Sequence, residues 1–228
     1  MIKAVIFDLD GTLYDYDQAD TAGFATLTAF MKQQFGMEEA DFRRAFSGAV
    51  NEVATILDTS CAALHDRYLR FHLLLEKAGL PIIPHAWNMT QAYWSGFMAN
   101  LVPMPGLRET LLLLKEKGLI LGIGTNMMVD YQLKKMEKLD CAELFDFLVT
   151  SEEAGSEKPM QPLFWRCAAK ASCAARECLF VGDSYHHDVV GAVNAGMQAV
   201  WLQPDDEKAK AHPEVTRIRS LPELVQLL

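Results

Sequence analysis

The chain has 228 residues, half of them hydrophobic, which is enough for a full core and points to one domain with a large insertion or to two domains. A formal net charge of -9 and a pI near 5.1 leave no basic stripe to displace counterions, so a nucleic-acid polymer is excluded as partner and an anionic ligand needs a small local cluster. The five cysteines (Cys61, Cys141, Cys167, Cys173 and Cys178) form no C-x-x-C pair, and no run of roughly 18 apolar residues or cleavable leader is present, so a cytoplasmic protein with reduced thiols and no membrane association is expected.

In chain order, the first feature is Ala4-Val5-Ile6-Phe7-Asp8-Leu9-Asp10-Gly11-Thr12-Leu13-Tyr14. The apolar run is short enough for one buried strand, and it delivers Asp8 and Asp10 into a turn marked by Gly11. Side chains alternate along an extended chain, so both carboxylates share a face and repel each other. A bound cation or a proton held by one of the pair offsets that repulsion, and both are states of catalytic carboxylates.

A helical block follows. Apolar residues at Phe24, Leu27, Phe30 and Met31 predict a helix over 19–35 that Gly36 stops. The pattern continues through 42–46, 50–57 and 61–78, with Gly79, Pro81 and Pro84 as terminators, and another helix is expected over 86–99. No strand alternation interrupts this stretch, so 16–102 reads as an all-helical module. Its aromatic residues Phe24, Phe46, Tyr68, Trp87, Tyr93 and Trp94 read as module core, and Tyr14, Asp15 and Tyr16, where the chain enters it, read either as contacts to a leaving group or as packing of the hinge.

After Pro103 and Pro105 the pattern alternates. Helices are expected over 107–117, 130–139, 162–171, 188–195 and 221–228, and strands over 119–125, 147–150, 178–181 and 199–202. Such alternation predicts an α/β fold, a Rossmann-like doubly wound parallel sheet in which ligands bind at the carboxyl ends of the strands. The groups at those ends are Asp8 and Asp10, Gly124-Thr125-Asn126, Lys158-Pro159 reached through Ser151, and Gly182-Asp183 with Asp188 close behind. Carboxylates for a hard cation, a hydroxyl and amides for phosphate oxygens, and a single lysine as point charge suit phosphoryl transfer. His186 and His187 read as surface residues of a polar loop, and Met127 and Met128 as packing.

These segments, Asp8-Leu9-Asp10-Gly11-Thr12, Thr125-Asn126, Lys158-Pro159 and Gly182-Asp183-Ser184 with Asp188, resemble in order the motifs of the haloacid dehalogenase superfamily of phosphohydrolases. The resemblance implies a core of residues 1–15 and 103–228 with 16–102 as an inserted helical cap of the C1 type. Gln132 and the run Ser151 to Gly155 are most similar to the branch of nucleotidases and sugar-phosphate phosphatases. By this resemblance Asp8 is the nucleophile that forms an aspartyl-phosphate, and Asp10 is the acid-base residue. Mg2+ is held by Asp8, by Asp10 through its main-chain carbonyl and by Asp183, with Asp188 as ligand or outer orienter. Thr125 and the Asn126 amide bind the transferring phosphoryl group, and Lys158 balances charge. A small phosphorylated metabolite, nucleotide or sugar phosphate, is the expected substrate.

Other reactions of the superfamily are weighed on the same residues. Dehalogenases of this fold lack the second aspartate, so Asp10 favours phosphate esters. Phosphonate cleavage uses a cap lysine, for which Lys32 and Lys77 are present. A phosphomutase shares the first half-reaction, and a phosphate-binding module without turnover is the alternative from another class.

Overall fold

The computed structural model describes residues 1–57, 61–209, 212–213 and 215–228. The chain forms two units, Met1–Asp15 with Pro103–Leu228, and Tyr16–Val102.

In the first unit, β1 (Ala4–Phe7) is a strand with every residue fully buried. Shielding Val5, Ile6 and Phe7 stabilises the unit by roughly 1.5–3 kcal/mol per side chain, which is why this short run sits at the centre and not at an edge. The chain then returns with the helix and strand alternation expected of it. α5 (Leu107–Glu116) leads to β2 (Ile120–Thr125), and α6 (Val129–Lys138) leads to β3 (Phe147–Thr150). A one-turn helix (Ser151–Ala154) and a longer helix (Gln161–Lys170) precede β4 (Cys178–Gly182). A short helix (Gly191–Asn194) precedes β5 (Gln198–Leu202), and another (Asp206–Ala209) precedes the two-residue strand β6 (Arg217–Ile218).

Among the described residues all strand pairs of the sheet are parallel, and their order is β3-β2-β1-β4-β5-β6. From β1 the chain winds outward to β2 and β3, whereas from β4 it winds the other way to β5 and β6. The connections leaving β1 and β4 therefore diverge, and the crevice at their carboxyl ends is the place where such sheets bind ligands. Ala4 and Ile6 face one layer, packing with Leu163, Phe164 and Cys167 of the Gln161–Lys170 helix and with Phe180.

In the second unit, α1 (Tyr16–Phe35), α2 (Glu39–Ile56), α3 (Arg67–Lys77) and α4 (His85–Ala99) are joined by a single 3-10 turn, Ala62–His65, among the described residues. Here α1 to α4 precede α5 in the chain. Tyr93 donates a 2.5 Å hydrogen bond to Asp20 Oδ1, to which Arg67 Nη2 also lies 3.3 Å away, so one buried arginine ties α1, α3 and α4 together. Among the described residues no helix is long and apolar enough to cross a membrane.

Several sequence expectations are corrected. The separate segments 42–46 and 50–57 are one helix, because Phe42, Ala49 and Val53 keep a common buried face and outweigh the roughly 1 kcal/mol that Gly48 costs inside it. The stretch 61–78 is broken at Asp66, whose carboxylate accepts from Tyr68 N at 2.7 Å and so starts a new helix. His186 and His187 are not in a loop: a π-helical turn, Tyr185–Val190, begins before the helix expected from 188. Trp87 is not core, since it is 58% exposed and stacks on Tyr68 at 5.5 Å. The C-terminal helix over 221–228 is a 3-10 turn, Leu221–Glu223, followed by one short turn, Leu224–Leu227.

Candidate active site

The site grows out of the end of β1. Asp8 N donates to Val181 O at 2.8 Å, extending the ladder by one residue and presenting the Asp8 carboxylate at the rim, almost completely buried. The chain then turns through Gly11 at φ 82°, a region that favours glycine. A Cβ there would lie 2.7 Å from Asp183 Oδ2, so the turn also needs glycine to admit the fourth-motif carboxylate. Thr12 stitches the two segments together, its Oγ1 donating to Asp183 Oδ1 at 3.2 Å and accepting from Asp183 N at 3.1 Å. Trp201 Nε1 holds the Asp183 carbonyl from β5 at 2.8 Å.

Carboxylate oxygens of Asp8, Asp183 and Asp188 lie within 4.8 Å of one another. Asp188 reaches the cluster because the π-helical turn folds it back, and Ser184 N donates to its Oδ2 at 2.9 Å. Lys158 enters from the third motif, its Nζ 2.6 Å from Asp8 Oδ1 and 2.7 Å from Asp188 Oδ1. Asn126 positions that lysine's backbone, its Oδ1 accepting from Lys158 N at 2.8 Å. Burial pushes the Asp8 carboxyl up to about 8, with Asp188 and Asp183 adding to the rise against the pull of Lys158. Burial and Asp188 push Asp183 up to about 6. Burial alone would lower Lys158, yet Asp188 and Asp8 outweigh it and hold its ammonium charged well above the usual range.

The donors are all carboxylate oxygens, without sulfur or imidazole, and burial, with the neighbouring carboxylates adding to it, raises the pKa values of two of them. That is the chemistry of a hard divalent cation site, so these residues fit magnesium.

A second cluster lies beside the first. Thr125, the last residue of β2, accepts at Oγ1 from Gln132 Nε2 at 2.8 Å, and Gln132 Nε2 also donates to Asn126 O at 2.9 Å. The Asp10 carboxylate does not join the three-aspartate cluster. Tyr14 OH donates to its Oδ1 at 2.6 Å, and Lys135 Nζ lies 2.8 Å from both oxygens. Burial would raise the Asp10 carboxyl, but Lys135, Tyr14 and Gln132 outweigh it and hold it below the usual carboxylate range. The expectation of a single lysine at the rim is therefore corrected: two ammonium groups serve the paired aspartates, Lys158 at Asp8 and Lys135 at Asp10. The Asp10 side chain, expected among the metal residues only through its main-chain carbonyl, lies outside the carboxylate cluster. Asp188, left between ligand and outer orienter, has its oxygen inside the donor cluster.

Residues 5–202 match the family model for haloacid dehalogenase-like hydrolases. The chain belongs to that family. It is 35% identical over 210 residues to a ribulose-1,5-bisphosphate 5-phosphatase of Halopiger xanaduensis, covering 91% of this chain and 87% of the relative. It is 30% identical to a glyceraldehyde 3-phosphate phosphatase of Methanothermobacter thermautotrophicus over the full length of both. Its fold matches the crystal structure of the HAD-hydrolase YfnB from Bacillus subtilis bound to magnesium, with a TM-score of 0.75 at 23% identity, over 100% of this chain and 98% of that one.

As a haloacid dehalogenase-like hydrolase, the chain has Asp8, Asp183, Asp188 and Lys158 in one contact set, Asp10 and Thr125 joined through Gln132 in a second, and Asn126 touching both through Lys158 and Gln132. His186 and His187 stay outside the donor cluster, His187 Nδ1 lying 3.1 Å from Ser184 Oγ. Lys135 is the residue that motif order missed. One signal was available: Tyr131, Gln132, Lys135 and Met136 form the buried face of α6, so two polar residues three apart occupy positions where an amphipathic helix places apolar ones.

Proposed function

We propose that the chain is a magnesium-dependent phosphatase that hydrolyses a small phosphate monoester, a sugar phosphate or nucleotide, through an aspartyl-phosphate on Asp8. The observation that carries this reading is the pairing of Asp8 with Lys158 beside two further carboxylates, with Asp10 two residues on and separately held.

Bound magnesium would neutralise charge so that an anionic carboxylate meets an anionic phosphate. Asp8, Asp183 and Asp188, with the Asp10 carbonyl, would hold it. An Asp8 oxygen attacks phosphorus in line as the bond to the ester oxygen breaks, and Asp10, which takes up a proton from solvent when the anionic ester binds beside it, passes that proton to the departing oxygen. Asp10 then takes a proton from the water that attacks the aspartyl-phosphate, which restores Asp8 and frees phosphate. Such proton transfer contributes about 10²–10⁴-fold. The Thr125 hydroxyl and the Asn126 amide orient the phosphoryl oxygens, and Lys158 balances the charge that collects between Asp8 and phosphate.

Asp10 argues against dehalogenation, because a halide leaves without a proton. A Schiff-base lysine needs a desolvated amine, whereas Lys32 and Lys77 have side chains 64% and 57% exposed and pair with Glu38 and Glu52 on the surface. The names of the two phosphatase relatives support a sugar phosphate in particular.

The test is hydrolysis of 4-nitrophenyl phosphate and of a panel of sugar phosphates and nucleotides, with magnesium or with chelator. Turnover is expected to need the metal and to fall at least about 10³-fold in Asp8→Asn. A variant with undiminished turnover would remove Asp8 as nucleophile.

A further inference from the structure

The chemistry above uses Lys158 and leaves Lys135 without a task. Lys135 is fully buried, and an ammonium in that position must be held by polar partners. It spans both oxygens of Asp10 at 2.8 Å, and Tyr14 OH secures Oδ1 at 2.6 Å. A carboxylate chelated in this way is no longer free to rotate about its last bond. Lys135 Nζ also lies 3.7 Å from Met127 Sδ. Met127 has φ 111°, a conformation that costs a residue with a side chain on the order of 1–2 kcal/mol and persists only where its surroundings impose it. Three residues before Lys135 on the same face of α6, Gln132 holds Thr125 Oγ1 at 2.8 Å. One helix face therefore grips both the threonine that ends β2 and the aspartate that follows β1.

We propose that Lys135, supported by Tyr14, is the positioning residue for Asp10, fixing the plane of its carboxylate so that one oxygen is aimed at the departing ester oxygen. The proposal rests on the reading of Asp10 as the residue that moves the proton. Lys135 keeps its own protons throughout: the proton lost by Asp10 goes to the leaving oxygen, and the one it regains comes from water. Removing Lys135 leaves the nucleophile, its lysine and the acidic cluster in place. The loss then falls on substrates whose leaving group needs a proton.

The experiment measures kcat/KM for a series of substituted phenyl phosphates, from 4-nitrophenyl to unsubstituted phenyl, and for an alkyl phosphate. The wild type is compared with Lys135→Met and Tyr14→Phe, each checked by circular dichroism and thermal melting. For Lys135→Met the expected loss is several-fold on 4-nitrophenyl phosphate and about 100-fold on the poorest leaving groups, so the plot of log kcat/KM against leaving-group pKa steepens. Tyr14→Phe removes one hydrogen bond and is expected to steepen the plot by less. If Lys135→Met does not fold, the slope of Tyr14→Phe decides the matter. Equal losses across the series, or a rise in KM alone, would overturn the positioning role while leaving the phosphatase reading intact. A wild type inactive on every ester would sink both.

Discussion

At the scale of single residues, the site is a balance of charge at short range. Burial pushes Asp8 up to about 8, whereas an unfolded aspartate titrates near ~3.9. Between those values the native metal-free chain binds more protons than the unfolded chain, so its stability falls as pH rises through that window. Asp183, pushed up to about 6, acts in the same direction over the lower part of the window. A divalent cation reverses the trend, since it binds the ionised carboxylates. Melting curves of chelator-treated protein are therefore expected to shift down from pH 5.5 to pH 8, in units read against a buffer control. Added magnesium should raise Tm more at pH 8 than at pH 5.5, by up to about 2.7 kcal/mol of stability at a hundredfold excess over Kd. A magnesium shift equal at both pH values would mean that the three aspartates are not the site.

At the scale of elements, the helices of the core end by two devices that respond oppositely to substitution. After α5, Gly118 has φ 76° with open space around the position a Cβ would take, so it is there for its backbone alone. After the Gln161–Lys170 helix the corresponding left-handed position holds Ser172, exposed and at φ 51°. Ser172→Gly is expected to stabilise the protein by about 0.5–1 kcal/mol, and Gly118→Ala to destabilise it by about 1 kcal/mol. Thermal melting reads both as shifts of about 1–4 °C in opposite directions, without change in activity. The element that sequence periodicity described least well is the π-helical turn Tyr185–Val190. Its extra residue per turn is not encoded in apolar spacing. It is stabilised by Asp188 reaching back to Ser184 N and to Lys158, which are contacts made only once β4 and the third motif are side by side.

At the scale of the whole molecule, the core unit closes its own chain where the helical unit departs. Tyr14 pairs with Pro103 in an antiparallel bridge, and Met104 N donates to Leu13 O at 2.9 Å. Two chain ends this close are joined by a short turn at little entropic cost. A chain in which residues 16–102 are replaced by a few Gly and Ser residues is expected to fold and to keep its magnesium-dependent melting shift. Loss of α/β circular dichroism in that chain would show that the core depends on the helical unit. The parallel alternation, the buried first strand and the candidate residues Asp8, Asp10, Thr125, Asn126, Lys158 and Asp183 near the strand ends were legible in the letters, because apolar periodicity and the residues that come after each strand are local properties of the chain. The tertiary structure alone decided which carboxylates share one cluster, that Asp188 belongs to it, and that Asp10 is held apart by Lys135 from a helix more than a hundred residues away in sequence. Partnerships of that kind depend on which faces of distant elements are brought together, and no spacing along a single segment records them.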